Sequence, residues 1–369
     1  MGLFVFLRNL LSGIFISVFY FISNAFSLLG MARKHNQEEK EPIKTTGLGT
    51  TMMRALHLYE KSTDPSKEYL LHRDILAQRF LPLVLRLAIR SSLMRKFVKK
   101  QLRGIYGFIA CRTAFFDLVL ENYVFSSSSF FGRLEGNPIE QIVNLGAGFD
   151  SRCLRYRKEI ENGSPKVKYF ELDLPPFSRN KKLMLEKIVR EDQRGPARAP
   201  CGLPPYVTLI PTDFSRISSL GDVLNERNGF DASKRTLFLW EGVACYLEPQ
   251  VVNSVLQWIH AHGGADAGSL LAFDYNFAAL RDNPDAFYRG RETIDYADKL
   301  AEPFKFFIDP CQLPDFLTRN GPFKILHNFH GDEMKSRFLP PVSEGDWDLL
   351  KPFDFCGFAL IQATHNTLR

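Results

Sequence analysis

The 369-residue chain contains no Cys-x-x-Cys pair, and its six cysteines (Cys111, Cys153, Cys201, Cys245, Cys311, Cys356) stand far apart. That spacing argues against a zinc knuckle or a disulfide framework and favours a reducing compartment. His260 and His262 are two apart, which does not put them on one helical face, and no third ligand is evident, so no metal site is assigned. Charge of one sign is also in short supply: 47 basic against 41 acidic residues leave a net charge of only +6. Such a balance disfavours a dedicated nucleic-acid binder, although basic residues before position 141 suit an anionic membrane surface. Internal repeats are missing, and low complexity is limited to the serines at 126–129. Abundance lies elsewhere, in 33 phenylalanines, enough for a sizeable core in one large α/β domain with a cap.

Only one long apolar run exists. Residues 10–30 carry no charge and are flanked by Arg8, Arg33 and Lys34. The run is long enough to span a hydrocarbon core as a helix. Three readings stay open: a signal anchor, a signal peptide cleaved near Ser23-Asn24-Ala25, or a partly buried helix, since Ser12, Ser17, Ser23 and Asn24 dilute the apolarity. The anchor reading places the protein on a membrane with its catalytic domain toward the cytosol; the alternative is a soluble cytoplasmic protein. Residues 31–48 then form a charged linker and 49–135 a helical cap. Within the cap, Ile75, Leu76, Phe80, Leu83, Val84, Leu87 and Leu93 recur at three- and four-residue steps, with arginine and lysine filling much of the remainder. This pattern predicts a cap helix burying its apolar face, while its basic side suits acidic lipid.

The core starts at residue 136 and runs to 369. Stretch 141–152 (QIVNLGAGFDSR) is a short apolar run stopping at Gly146-Ala147-Gly148, a buried parallel strand feeding a glycine-rich turn. Without a β-carbon at Gly146 and Gly148 the backbone can take strained angles and let a ligand approach closely. Taken alone, such a turn serves NAD, flavin and S-adenosylmethionine sites alike. The segments that follow narrow the choice. Stretch 167–173 ends in Glu171 and Asp173, 206–214 in Asp213 and Phe214, and the apolar run 235–240 stops at Glu241. Acids ending successive strands line one crevice, where open α/β sheets bind ligands. Asp173, with Glu171 as its less certain partner, suits ribose hydroxyls, and Asp213 with Phe214 suits the edge and face of adenine. Serine stands at position 151, where a dinucleotide fingerprint has its third glycine, so the site fits a mononucleoside-like ligand better than NAD. Later strands are expected at 269–274, 323–329 and 357–363. A lid insertion is expected at 276–305.

Together, 141–152, 169–175 (YFELDLP) and 239–247 (LWEGVACYL) resemble the leucine carboxyl methyltransferase family of S-adenosylmethionine-dependent O-methyltransferases. Stretch 111–117 (CRTAFFD) is similar to the family's R-T-x-x-x-D segment, and 302–317 to its late segment, particularly in the bacterial branch. The resemblance implies a Rossmann-like methyltransferase fold, with a seven-stranded, mostly parallel sheet, helices on both faces and an antiparallel last strand. It also implies that Arg112 pairs with the cofactor carboxylate, where a guanidinium fork suits two oxygens. The bland reading of Arg112 is an ion pair with Asp117 on its own helix. Glu241 would lie near the cofactor amino group or the acceptor, and Arg152 would support the loop through a structural ion pair. The expected activity is O-methylation of a carboxylate or hydroxyl on a small or lipophilic acceptor, with Tyr246, Asp274 and Tyr275 near the acceptor and no residue assigned as base. Methylation of a protein C-terminal leucine, and a non-catalytic membrane-tethered binder of S-adenosylmethionine, remain as alternatives.

Overall fold

The computed structural model describes residues 45–192, 202–216, 219–262 and 268–364. Residues 10–30, with the anchor, signal and buried-helix readings attached to them, lie outside the described residues. Among the described residues no helix is long and apolar enough to cross a membrane.

Seven strands form one sheet: β1 (Gln141–Leu145), β2 (Lys168–Asp173), β3 (Val207–Pro211), β4 (Thr236–Trp240), β5 (Leu270–Asn276), β6 (Phe323–His330) and β7 (Cys356–Ala363). Their order is β3-β2-β1-β4-β5-β7-β6. Strands β1 to β5 pair in parallel, whereas β7 runs antiparallel to both β5 and β6. All seven lie where the apolar runs predicted, because parallel strands covered on both faces read as continuous hydrophobic stretches. Every residue of β1, β4 and β5 is buried. From β1 the chain winds outward to β2 and β3, then returns to place β4 on the opposite side of β1. That reversal opens a crevice at the carboxyl ends of β1 and β4.

The amino-terminal helices roof this crevice. Helix α1 (Thr45–His57) docks through Arg54, which pairs with Asp74 at 3.1 Å and donates to the Phe149 carbonyl at 2.9 Å. Helix α2 (Ser92–Gln101) begins at the Ser91 cap, whose hydroxyl accepts from the Met94 amide. Helix α3 (Ile105–Tyr123) is the central one and is buried on nearly every side. Phe115 stacks on Phe358 of β7 with centroids 5.2 Å apart and meets Phe116 and Phe338 edge-on. Burying each such ring contributes on the order of 1.5–3 kcal/mol. Further on, α4 (Pro175–Asp192) follows β2, α5 (Pro249–His262) follows β4, and α6 (Gly290–Lys299) rises from the insertion between β5 and β6.

The single amphipathic helix expected around residues 75–93 is not formed. Pro82 cannot donate an amide and disfavours helical geometry at Leu81, which is extended (φ −81°, ψ 146°). Short helical pieces result, Ala77–Phe80 and Leu83–Ala88, ahead of α2. The break also divides the apolar residues. Phe80, Leu85 and Ile89 turn into the core, while Ile75, Leu83, Val84, Leu87 and Leu93 face solvent.

Candidate active site

The turn after β1 is held by neighbouring strands. The amides of Gly146 and Ala147 both donate to the Leu172 carbonyl at 2.7 and 3.0 Å, and the Gly148 amide donates to the Asp173 carboxylate. Gly146 has φ +72°, and a β-carbon there would lie 2.5 Å from Val243 Cγ2, so the turn after β4 packs directly on it. Asp150 closes the turn by accepting from the Asn144 side-chain Nδ2 at 2.8 Å and from the Arg152 backbone amide at 2.7 Å.

Two arginines organise the charge. Arg152, fully buried, donates to Asp117 at 2.5 Å, to Asp150 at 2.6 Å and to Glu241 at 2.6 Å. It thereby ties α3, the β1 turn and the end of β4 together. Burial opposes the charge on Asp117, yet Arg155 and Arg152 overcome it and hold its carboxyl down at about 2. Arg112 is bound more loosely, 3.2 Å from Glu241 and 3.3 Å from Asp274. Asp274 also accepts from the Gly242 amide at 2.6 Å. Burial works against the Arg112 charge, but Asp274 and Glu241 outweigh it and raise its pKa. The helical ion pair with Asp117 considered for Arg112 is therefore absent. Asp117 is claimed by Arg152 and by Arg155, the latter at 2.7 Å.

Two cavities meet here. The smaller, about 130 Å³, is lined by the 146–150 turn, Asn144, Arg112, Glu241, Gly242, Val243 and Tyr246, with Gly47, Thr50 and Arg54 of α1. The larger, about 360 Å³, is bounded by Phe108, Ile109 and Phe355, by Asp274 and Asn276 of β5, and by Arg289, Thr293 and Tyr296 of the insertion. Thr50, Arg112, Gly242 and Tyr246 belong to both linings. Tyr246 lies against Phe304, and burial pushes its phenol well above the ordinary value.

Of the cofactor residues expected from sequence, Arg112, Gly146, Ala147, Gly148 and Glu241 line the smaller cavity. Asp173 is in neither lining, but its carboxylate accepts from the Gly148 amide of the turn that is. Asp213, at the end of β3, accepts from Ser215 and pairs with Arg216 at 3.1 Å, and Phe214 beside it is buried; neither lines a cavity. Two assignments are corrected. Glu171 is buried against Lys181 of α4 at 2.6 Å and is closed off from the crevice, which leaves Asp173 as the acid at the end of β2. Tyr275 points away from the larger cavity because successive strand residues face opposite ways, and its hydroxyl donates to Asn328 at 2.7 Å. Asp274 and Tyr246 do line the larger cavity. Sequence reasoning missed Gly47, Thr50 and Arg54. Two glycines inside one helix, Gly47 and Gly49, were the available signal, since glycine there costs stability unless something must come close.

Asp173→Ala removes the carboxylate that accepts from the Gly148 amide. The affinity for S-adenosylhomocysteine in calorimetry should fall by about 1–3 kcal/mol. Unchanged affinity in the folded variant would take Asp173 out of the site.

The leucine carboxyl methyltransferase profile matches residues 47–260. A curated relative, tRNA wybutosine-synthesizing protein 4 of Rattus norvegicus, is 26% identical over 54% of this chain and 27% of its own length. Leucine carboxyl methyltransferase 1 of Schizosaccharomyces pombe is 30% identical over 42% of this chain and 46% of its own. In both cases the chain spans less than half of the relative. A solved structure, N,N-8-amino-8-demethyl-D-riboflavin dimethyltransferase of Streptomyces davawensis, aligns over 88% of this chain and 71% of that one, with 16% identity and a TM-score of 0.35. With the profile covering more than half of its length, this chain belongs to the leucine carboxyl methyltransferase family.

Proposed function

We propose that the protein is an S-adenosylmethionine-dependent methyltransferase that esterifies a carboxylate on an acceptor with an apolar body. The observation carrying this reading is the pair of cavities sharing Thr50, Arg112, Gly242 and Tyr246, one polar and turn-bound, the other largely apolar. The residues present fit the cofactor. The positive-φ turn at Gly146 leaves room for a methionine portion, and the long contacts of Arg112 can be exchanged for a carboxylate of the ligand. Once Arg112 turns to that carboxylate, Glu241 keeps its bond to Arg152 and offers its other oxygen to an ammonium. Asp173 would accept from the ribose hydroxyls. When bound, the cofactor supplies an electrophilic methyl group on a sulfonium and leaves as a thioether.

The acceptor side is read from what its lining can ionise. Among the described residues no histidine lines either cavity. Burial keeps the thiols of Cys245 and Cys356 and the phenol of Tyr246 protonated near neutrality. Of the carboxylates in the larger lining, Glu292 is paired with Arg289, and Asp274 accepts from the Gly242 amide with Arg112 beside it, so neither is free to take a proton until its arginine leaves. An alcohol or phenol would need a base to remove its proton, whereas a carboxylate arrives ionised. Arg103 and Arg289 in the larger lining are paired with Asp348 at 3.1 Å and Glu292 at 3.2 Å, so either would meet such an acceptor only by exchanging its present partner. The chain's work is then to align oxygen and methyl and to exclude water.

The test uses the full chain with methyl-labelled S-adenosylmethionine against long-chain carboxylic acids, phenols and peptides ending in leucine. Label that alkali releases as volatile methanol marks a carboxyl ester and is the expected result. Label stable to alkali on a phenol would overturn the carboxylate reading. Ester formation confined to the peptides would replace the lipophilic acceptor with a protein C-terminus.

A further inference from the structure

The residues that failed to bury their apolar face form a surface with its own chemistry. Leu83, Val84 and Leu87 share one side of a short helical piece at 54–66% exposure, and Leu93, 78% exposed, opens α2. Large apolar side chains grouped in this way are uncommon on a protein without a partner. Their surroundings carry one sign of charge. Between Asp74 and Asp117 the chain has no acidic residue. Four of the basic side chains there are neutralised: Arg79 by Glu191 and Asp192, Lys99 by Glu60, Arg103 by Asp348, and Arg112 by Glu241 and Asp274. Arg86, Arg90, Arg95, Lys96 and Lys100 have no carboxylate partner among the described residues. Arg86 and Arg95 donate to backbone carbonyls of the same segment, which fixes their direction and leaves their charge.

We propose that this surface docks on an anionic lipid bilayer, with Leu83, Val84, Leu87 and Leu93 entering the interface and Arg90, Lys96 and Lys100 meeting lipid phosphates. Apolar burial and attraction to anionic headgroups act together in such a surface, and neither suffices alone when only a few side chains insert. Charge complementarity selects lipid over a second copy of this chain, because two such faces brought together would repel. The position within the fold gives the surface a use. Helix α2 runs from Leu93 at the patch to Gln101, and Gln101, Leu102 and Arg103 line the larger cavity. The lipid-facing residues of α2, from Leu93 to Lys100, thus end beside the chamber wall at Gln101. A lipid-dissolved carboxylic acid would enter without crossing bulk water. This last step rests on the larger cavity being the acceptor chamber; the docking surface itself does not.

The experiment places a fluorophore on the patch in the full chain, so that attachment by any other segment does not mask the result. Leu87→Trp is mixed with phosphatidylcholine vesicles carrying brominated acyl chains, with and without phosphatidylserine. Quenching beyond that of the parent protein, requiring phosphatidylserine and falling severalfold when Arg90, Lys96 and Lys100 are all changed to Glu, is the expected result. No added quenching on vesicles that the protein sediments with would overturn the proposal, because another segment then does the binding. A tryptophan already shielded from acrylamide without lipid would also overturn it, the face being covered by a second copy or by the chain itself. Calorimetry with S-adenosylhomocysteine on the same variant separates the two readings. Normal binding with no quenching sinks the docking surface alone, and quenching without cofactor binding sinks the proposed activity alone.

Discussion

Arg152→Met should lower the unfolding free energy by about 3–5 kcal/mol, because it strands buried carboxylates that had one common partner. The corresponding fall in melting temperature is roughly 4–6 °C for a chain of this length, read by scanning calorimetry. The size of the effect follows from geometry. Arg152 is 1% exposed and makes three contacts of 2.5–2.6 Å to residues from α3, the β1 turn and the end of β4. Asp117 gives the pH dependence. Its carboxyl is depressed from 3.8 to about 2, so the stability it contributes is fully present above about 4 and is lost as pH falls through about 2. Without Arg152 the folded value climbs toward the unfolded one, part of that contribution disappears, and acid unfolding should begin at higher pH. A variant as stable as the parent would mean that Arg155 alone satisfies Asp117.

Arg112→Lys should have the opposite signature. Its contacts to Glu241 and Asp274 are 3.2 and 3.3 Å long, so stability should change little. Affinity for S-adenosylhomocysteine should fall by about 1.5–3 kcal/mol, since an ammonium keeps the charge but cannot grip two carboxylate oxygens at once. S-adenosylmethionine should weaken in parallel because it carries the same carboxylate. If calorimetry finds both ligands bound normally while the melting temperature drops, Arg112 serves only to hold the two acids.

The strands and the glycine turn were legible because each depends on local pattern: a buried parallel strand is an apolar run, and the acid that ends it marks the edge of the sheet. Tyr275 was misplaced although alternation along β5 puts Asp274 and Asn276 on one side and Tyr275 on the other. That information was present and unused. Glu171 is different. It shares its side of β2 with Asp173, so alternation cannot separate them; depth does, through Lys181 contributed by the next helix. The part played by α1 was invisible for a related reason, since Arg54 reaches the turn only when a helix distant in sequence docks there. Around residues 75–93 periodicity predicted burial, and Pro82 with its extended neighbour sent half of the apolar residues outward.

The wall common to the two cavities bears on the order in which ligands can be taken up. Each chamber has most of its lining to itself, and only four residues are held in common. On the proposed assignment of cofactor and acceptor to separate chambers, loading in either sequence is expected and a ternary complex does not require a compulsory leader. Steady-state rate plots should then intersect for both substrates, and calorimetry should find the acceptor binding without cofactor and the cofactor binding without acceptor. Arg112 makes the two uptakes interdependent even so: whichever ligand draws its guanidinium first changes what the other finds at the boundary.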